Sequence, residues 1–371
     1  MADPVLDEVN SITYFHLYPK IVQDNFFLNS PFTAHLRAKA LHPFPGGSDM
    51  RFSFLYAPMV GGAYAPGDTF DITKPQTYTS ATFQPKFYEC NVTEYLEQIL
   101  VINRGPAAAF SQIEIDLKNA MQTISSIISV AMHHEGLSAG RVKQVNGWPE
   151  ALNDGRNPGW ESASVFTTYG GLTRNGAAGA ALNSIPRWGG NADGTSAPIT
   201  YGLLEETYQD ATIGPEEPDL GVCNKLLYAG IKQRIQPQQR FAQERDPYYG
   251  AYGLKINNAT ILKDDYFPSL RYGQNDARIG NFLTSTFLTP GTITAASFLP
   301  SATTVTVGEV FCWFNTKKWT FYVAEHPLYG FGFTGFKHGW DHTRVAGQTL
   351  AMVNLQCHGP RFNKQIYGLN G

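Results

Sequence analysis

Apolar residues at helical spacing mark one long segment in the first half of the chain. From Pro106 to Glu135 they recur at steps of three and four residues, which places them on one face of an α-helix. Proline is favoured in the first turn of a helix, and Gly136 suits its end. The pattern predicts a helix over 106–135, about 45 Å long. Its packing stripe consists of Phe110, Ile113, Leu117, Met121, Ile124, Ile128 and Met132.

Two runs of alternating apolar and polar residues precede this helix. They cover 51–56 and 77–84 and flank a turn region that contains Gly61-Gly62 and Pro66-Gly67-Asp68. Alternation with period two is typical of half-buried strands, so we predict a long antiparallel hairpin. A two-stranded ribbon orders many residues while burying little apolar area. Its aromatic side chains therefore need a surface from elsewhere.

The second half of the chain mixes helices with strands. An amphipathic helix is predicted near 201–211, and the strand 220–223 leads through Asn224, a favoured N-cap residue, into another helix. Residues 270–304 have a weak pattern and are predicted to form an extended loop. Beyond Pro237 we predict strands at 252–262 around a turn at 257–258, at 305–314 and 319–323 around a turn at 315–318, and at 345–357.

The scarcity of charge adds information that the pattern does not contain. Charged residues make up 16% of the chain, against about 25% in a typical soluble domain, while aromatic residues reach 13%. The low charge indicates that something other than water covers much of the surface. The net charge of −3 excludes strong electrostatic binding of nucleic acid by the chain as a whole.

The cysteines and the amino terminus give no sign of secretion or membrane insertion. The first residues lack the basic and apolar regions of a signal peptide, and no apolar run reaches the roughly 18 residues of a membrane span. We therefore expect a protein of the cytoplasm. Four cysteines without paired spacing are expected to be reduced, packed thiols: Cys90, Cys223, Cys312 and Cys357.

Two short motifs could belong to a ligand site. Gly330-Phe-Gly-Phe-Thr-Gly335 matches the dinucleotide fingerprint G-x-G-x-x-G, but its interleaved phenylalanines and the lack of a following helical pattern favour an aromatic β-segment. His338-Gly-Trp-Asp-His342 offers two imidazoles and a carboxylate as metal ligands. Its glycine argues against a single ligand-bearing helix face, so we favour ordinary hydrogen bonds in a loop.

Other titratable groups have simpler interpretations. His133 and His134 could ligate a metal, but they fall in the last turn of the long helix, where the helix dipole favours positive charge. No protease, P-loop or calcium-loop motif is present. We predict no catalytic residue, no cofactor and no metal. Three carboxylate pairs are adjacent in sequence and are expected to be solvated: Glu205-Glu206, Glu216-Glu217 and Asp264-Asp265.

The order of these elements, together with several short motifs, resembles the major capsid proteins of tailed bacteriophages, the Hong Kong ninety-seven type of coat fold. Thr168-Tyr-Gly-Gly-Leu-Thr-Arg174, followed after an alanine- and glycine-rich insertion by Pro186-Arg-Trp188, is similar to the family run Y-G-G-[IL]-x-R … P-x-W. Residues 146–155, 218–241 and 252–268 resemble other stretches of the family. The resemblance spans nearly the whole chain.

The resemblance implies an α+β subunit whose axial domain lies at the centre of pentamers and hexamers. The hairpin then finds its missing surface on a neighbouring subunit, through Phe52, Phe54, Tyr56, Asp68, Tyr78 and Phe83. The implied division is an amino-terminal arm at 1–45, an extended loop (the β-hairpin) at 46–92, a peripheral domain at 93–145 with spine helix 106–135, an axial domain at 146–303, peripheral-domain strands at 304–344, and a carboxy-terminal return to the axial domain at 345–371.

The implied function is that of a major capsid protein, which self-assembles as pentamers and hexamers into an icosahedral head around double-stranded DNA. Expected partners are other copies of the chain, portal, scaffolding and decoration proteins, and DNA bound without sequence specificity. The expected location is the virion, after assembly in the host cytoplasm. Some relatives cross-link a lysine to an asparagine between subunits, but nothing marks Lys74 or Lys86 as reactive. Two alternatives stay open: the shell of a cargo-enclosing bacterial nanocompartment, and a β-rich hydrolase with an unrecognised site.

Overall fold

Helices and strands are both frequent in the computed structural model, which describes residues 30–57, 59–95, 97, 112–133, 143–155, 166–174, 188–194, 198–235, 243–248, 250–264, 267, 309–338 and 343–369. The helices are α1 (Pro31–Lys39), α2 (Gln112–Ala131), α3 (Trp148–Leu152), α4 (Tyr201–Ala211) and α5 (Lys225–Ile235). The strands are β1 (Leu41–Phe44), β2 (Met50–Leu55), β3 (Tyr78–Phe83), β4 (Lys86–Tyr95), β5 (Thr168–Tyr169), β6 (Leu172–Thr173), β7 (Ala192–Gly194), β8 (Leu220–Cys223), β9 (Gln243–Arg245), β10 (Tyr252–Ile256), β11 (Ala259–Lys263), β12 (Glu309–Phe314), β13 (Trp319–Ala324), β14 (Gly330–Phe333), β15 (Lys337–His338), β16 (Arg344–Cys357) and β17 (Lys364–Leu369).

The long strand β16 organises a six-stranded sheet. It pairs antiparallel with β4 from Arg344 to Val353 and with β13 from Val353 to Cys357. Strands β14 and β15 also pair with β16, and β1 extends the sheet by pairing parallel with β13. Helix α2 packs along β4 and β16. This sheet therefore combines segments from the amino-terminal and carboxy-terminal parts of the chain.

A seven-stranded sheet has the order β7-β17-β12-β8-β11-β10-β9. Every residue of its central strands β8, β12 and β17 is buried, as expected for strands covered on both faces. Helices α4 and α5 supply one cover, and Leu204 and Leu227 share a hydrophobic cluster with Phe311 and Trp313 of β12. The two-layer packing gives this part of the chain its own core.

Several local predictions for this region are confirmed. The helix predicted near 201–211 is present as α4, and Thr200 caps it by accepting a hydrogen bond from the Leu203 amide at 3.2 Å. The Asn224 side chain caps α5 by accepting one from the Leu227 amide at 2.8 Å. Asn257 turns the chain between β10 and β11 with a φ of 50°, a left-handed conformation that asparagine tolerates.

The turn at 315–318 separates two sheets rather than closing a hairpin. It forms a short 3₁₀ helix, Thr316–Lys318, and Asn315 caps it by accepting a hydrogen bond from the Lys317 amide at 3.2 Å. On one side β12 pairs with β8 and β17, and on the other β13 pairs with β1 and β16. The two strands and the turn between them are present as predicted, but each strand pairs with segments that are distant in sequence. Residues 344–357 likewise stay with the six-stranded sheet, and only β17 returns to the seven-stranded one.

The predicted long helix is present as α2, but its packing stripe needs correction. Ile124, Ile128 and Met132 are buried as predicted, and Leu117 is half-buried. Met121 is 43% exposed, so its assignment to the core is wrong. The buried face follows Ala120, Ile124, Ile127 and Ala131, which turns the contact away from Met121. Phe110 and the side chain of Ile113 lie outside the described residues.

The described part of the amino-terminal arm packs on the chain itself. Ser30 caps α1 by accepting a hydrogen bond from the Thr33 amide at 3.3 Å. Phe32 and Leu36 are fully buried, and the Phe32 ring lies 4.4 Å from the ring of Phe314. The end of the arm, β1, forms an edge of the six-stranded sheet. Residues 1–29 lie outside the described residues.

Candidate assembly surface

The base of the predicted hairpin packs inside the chain's own core. Strands β2 and β3 pair antiparallel as the alternation predicted. Phe83 is only 4% exposed, and its ring lies 5.0 Å from that of Tyr169. Phe54 stacks on Trp188 at 4.5 Å, and Phe52 lies 5.9 Å from the same ring. Phe83 is covered within the subunit, so the expectation that it needs a neighbouring subunit is wrong, whereas Phe52 and Phe54 are half-buried and their predicted intersubunit contact stays a prediction.

Beyond this base, residues 59–77 form a segment without helix or strand, exposed at every position except Pro75 and Thr77, which we name the apolar loop. Ile72 is 93% exposed. The exposed rings of Tyr64 and Phe70 pack against each other, with their centres 5.0 Å apart. The Asp68 carboxylate accepts a hydrogen bond from the Ala65 amide at 2.6 Å and so shapes the turn at the tip. Large apolar side chains exposed in and beside the loop are Leu55, Met59, Val60, Tyr64, Phe70, Ile72 and Tyr78.

Sequence reasoning identified only part of this surface. Tyr78 and Asp68 are exposed as an intersubunit contact requires, and Tyr56 is half-buried. The sequence pattern does not assign Tyr64, Phe70 and Ile72 to this surface, because they lie in the turn region between the two alternating runs. The available signal was their position among the glycines and prolines of a turn region, where apolar side chains have no local core.

The loop of the Y-G-G-L-T-R motif fixes the subunit beneath the hairpin. Arg174 is fully buried and donates hydrogen bonds to the backbone oxygens of Ala151, at 3.2 Å, and of Glu150 and Asn153. These carbonyls close the carboxy-terminal end of α3, where a cation also complements the helix dipole. Burial lowers the pKa of the Arg174 guanidinium to about 10. Arg174 therefore joins the motif loop to α3.

The two halves of the motif meet although an insertion separates them in sequence. The Trp188 indole donates to the backbone oxygen of Tyr169 at 3.0 Å. Gly170 has a φ of 57°, and a Cβ atom there would lie 2.8 Å from the Phe83 ring. Glycine is thus required both by the left-handed backbone and by the close approach of the hairpin base. The motif positions β2 and β3, from which the apolar loop extends.

A buried polar junction links the arm, α2 and the seven-stranded sheet. The Ser30 hydroxyl donates to the Asp264 carboxylate, and His133 Nε2 lies 3.2 Å from the same oxygen. Asp264 is 1% exposed, so the expectation that it is solvated is wrong. His133 Nδ1 lies 2.7 Å from the backbone oxygen of Ser129, which supports the expected role at the helix end. The hydroxyl and the imidazole thus meet at one carboxylate, which ties the arm and the end of the long helix to the sheet.

The remaining candidate chemistry also has structural explanations. Gly330–Phe333 forms β14 and opens no helix, as the aromatic β interpretation predicted. Residues 339–342 of the histidine-rich motif lie outside the described residues. Burial raises the pKa of the Cys357 thiol to about 12 and also raises the pKa values of the Cys223 and Cys312 thiols, so these three are packed thiols as expected.

The described residues contain neither a metal-binding cluster nor a membrane-spanning helix. No group of three or more histidine, cysteine, aspartate or glutamate side chains in the described ranges is arranged to hold a metal ion. None of the helices described is long and apolar enough to cross a membrane. A polar cavity of about 220 Å³ lies between β4 and α2, lined by residues that include Cys90, Glu94, Asp116 and Asn119.

Solved structures similar to this chain are capsid and shell proteins. The cyanophage A-1(L) capsid matches with a TM-score of 0.60 and 11% identity, over 98% of this chain and 99% of that one. The chain has the phage capsid fold. The capsid of an empty GTA particle matches with a TM-score of 0.57 and 10% identity, over 96% and 97% of the two chains. The holo-SrpI encapsulin complex from Synechococcus elongatus matches with a TM-score of 0.57 and 9% identity, over 100% and 96%.

The phage capsid fold, of the Hong Kong ninety-seven type, confirms the predicted α+β class and the resemblance stated from sequence order. No family profile and no curated protein matches the sequence. At 9–11% identity the likeness is one of fold over nearly the whole chain. At this identity, the order of elements along the chain indicates the fold better than the identity of single residues does.

Proposed function

We propose that this chain is a major capsid protein that self-assembles as pentamers and hexamers into an icosahedral head enclosing double-stranded DNA. The observation that carries the proposal is the apolar loop, presented on a capsid fold that extends over the whole chain. Monomeric proteins rarely expose a contiguous apolar patch without using it for an interaction. The low charge of the chain agrees with a subunit whose edges are buried against several neighbours.

The magnitude of the loop contact favours assembly through many weak interfaces. Fully burying a large apolar side chain contributes about 1.5–3 kcal/mol. Five such side chains of the loop would therefore contribute roughly 8–15 kcal/mol, similar to the 4–15 kcal/mol estimated cost of association. The net free energy of one loop contact alone is therefore close to zero. A ring or shell, in which each subunit gives one loop and receives another, makes the balance favourable.

Two exposed aromatic side chains at the six-stranded sheet support a receiving surface for the loop. Phe87 is exposed, and its ring lies 6.0 Å from the ring of the exposed Tyr329. We infer that the loop of one copy covers this surface of the next, with Tyr56, Asp68 and Tyr78 beside the contact. Such a heterologous contact closes into rings when the rotation between copies allows it.

The proposed contents and partners follow from the same assignment. DNA would be held by enclosure, because a net charge of −3 provides no general grip on phosphates. Portal, scaffolding and decoration proteins are the proposed protein partners, the virion is the proposed location, and assembly would take place in the host cytoplasm.

The shell of a cargo-enclosing bacterial nanocompartment is a second candidate. The match to an encapsulin complex over the full length of this chain favours keeping it. Nuclease-protected DNA inside purified particles would identify the virus head, whereas particles that contain a protein cargo and no DNA would identify the compartment.

Trimming the apolar loop tests the proposal. Replacing Gly61–Asp68 by an Asn-Gly turn should leave the fold intact, since this segment lies outside the core, and should prevent closed shells in negative-stain images. Ile72→Ser should weaken assembly in the same direction, and Thr69→Ser is the matched control because Thr69 is an exposed polar residue of the same loop. Normal shells from the trimmed chain would contradict the proposal, as would a stable monomer of the unaltered chain at every protein and salt concentration.

A further inference from the structure

Three aspartates of the seven-stranded sheet hold the arm helix α1. Ser30 donates to Asp264, which follows β11, as described above. His35 Nε2 lies 2.8 Å from Asp246, which follows β9. Lys39 Nζ lies 2.7 Å from Asp219, which precedes β8. The three carboxylates come from separate strand ends, so one face of α1 is fastened to the sheet along its length.

The middle contact contains a buried histidine. His35 is 3% exposed, and its Nδ1 atom has no hydrogen-bond partner among the described residues. The groups that face the imidazole are Asp246, the Tyr248 ring at 5.0 Å, and the more distant charges of Lys39 and Asp219. A neutral imidazole fits this environment by donating from Nε2 to the carboxylate.

We propose that the docking of α1 on the seven-stranded sheet is acid-sensitive, with His35 as the sensing group. Protonation would place a second N–H at Nδ1, where the described residues supply no acceptor, and a charge in a buried position. Both changes cost free energy in the docked state and nothing when the imidazole is in water. Mild acid therefore weakens the docking of the arm helix.

The direction of the effect follows from linkage. Burial lowers the pKa of His35 and outweighs the opposing effect of Asp246. A histidine with a lowered pKa in the docked state leaves docking at full strength above the free value of about 6.5. The docking free energy then falls as pH drops from there through the docked-state pKa. Each unit between the two pKa values lowers the docking constant by about tenfold.

Complete detachment is not expected from this residue alone. Phe32 and Leu36 of the same helix are fully buried in the main core, and they keep α1 in place when His35 is charged. The expected event is more frequent local opening of α1. In the proposed shell, residues 30–44 would loosen on acidification, but the effect belongs to the single chain and does not depend on assembly.

Hydrogen–deuterium exchange of the purified full chain tests the inference. The protection factor of α1, corrected for the intrinsic effect of pH on exchange, should fall between pH 7.5 and pH 5.5 relative to that of α4. In His35→Gln, whose amide can still donate to Asp246, this relative fall should disappear. His42→Gln is the matched control, since His42 is an exposed histidine on β1 near the same helix, and it should keep the wild-type dependence.

Each outcome decides the question. A constant ratio in the unaltered chain overturns the inference. A fall that persists in His35→Gln also overturns it, because the sensing group would then not be His35. Should His35→Gln fail to fold, the imidazole resonances of the unaltered chain serve instead: a His35 pKa at or above about 6.5 contradicts the proposal.

Discussion

Two neighbouring apolar positions of α2, Ile124 and Met121, should respond very differently to the same truncation. Both belong to the stripe that the sequence predicts, yet Ile124 is fully buried and Met121 is 43% exposed. Each is changed to alanine in the full chain. The two variants keep the same helix and change its intrinsic helix propensity by only a few tenths of a kcal/mol, so the difference between them reports packing.

The expected magnitudes follow from burial. Ile124→Ala removes three buried carbon atoms, about 0.8 kcal/mol each in transfer free energy, or about 2.4 kcal/mol in total. A residual cavity among the core side chains adds to this, so we expect a loss of about 3–4 kcal/mol, within the range known for such changes. Met121→Ala leaves no closed cavity and should cost less than about 1 kcal/mol.

The assay is denaturant unfolding of unassembled subunits, followed by tryptophan fluorescence. Trp148 shares the hydrophobic cluster of Ile124 and therefore reports on the same core. Equal destabilisation by the two variants would refute the assignment of the buried face. So would a loss below about 1 kcal/mol for Ile124→Ala, because no core position should tolerate such a truncation.

Two further substitutions test the loop beneath the hairpin. Arg174→Met should destabilise the subunit by about 3–5 kcal/mol, because it leaves buried carbonyls at the end of α3 without donors. Arg174→Lys should recover only part of this loss, as measured by thermal unfolding of both variants. An Arg174→Met variant as stable as the unaltered chain would contradict the role of Arg174 in joining the motif loop to α3. Gly170→Ala should cost about 1–3 kcal/mol through strain and overlap with Phe83. The control Gly171→Ala, also at positive φ but with open space around its Cβ, should cost less in the same measurement, and equal losses would show that the contact with Phe83 is unimportant.

The sequence by itself determined the elements whose signals are local. The period of apolar residues located α2, α4 and the paired strands β2 and β3, and cap and turn residues located the start of α5 and the turn at Asn257. These features depend on backbone geometry over a few residues, so a single stretch of sequence contains all the information they need. The order of the elements, together with several short motifs, then indicated the capsid fold, even at an identity near 10% to the solved structures.

The tertiary structure alone decided which surfaces are buried and which segments meet. It placed β12 and β13 in different sheets, covered Phe83 with Tyr169, buried Asp264 against Ser30 and His133, and left Met121 and the apolar loop exposed. Apolar character shows that a side chain gains by leaving water, but it does not specify the partner that covers it. For these residues the partner lies far along the chain or, for the apolar loop, on the proposed neighbouring subunit, and packing between distant segments is what local sequence does not encode.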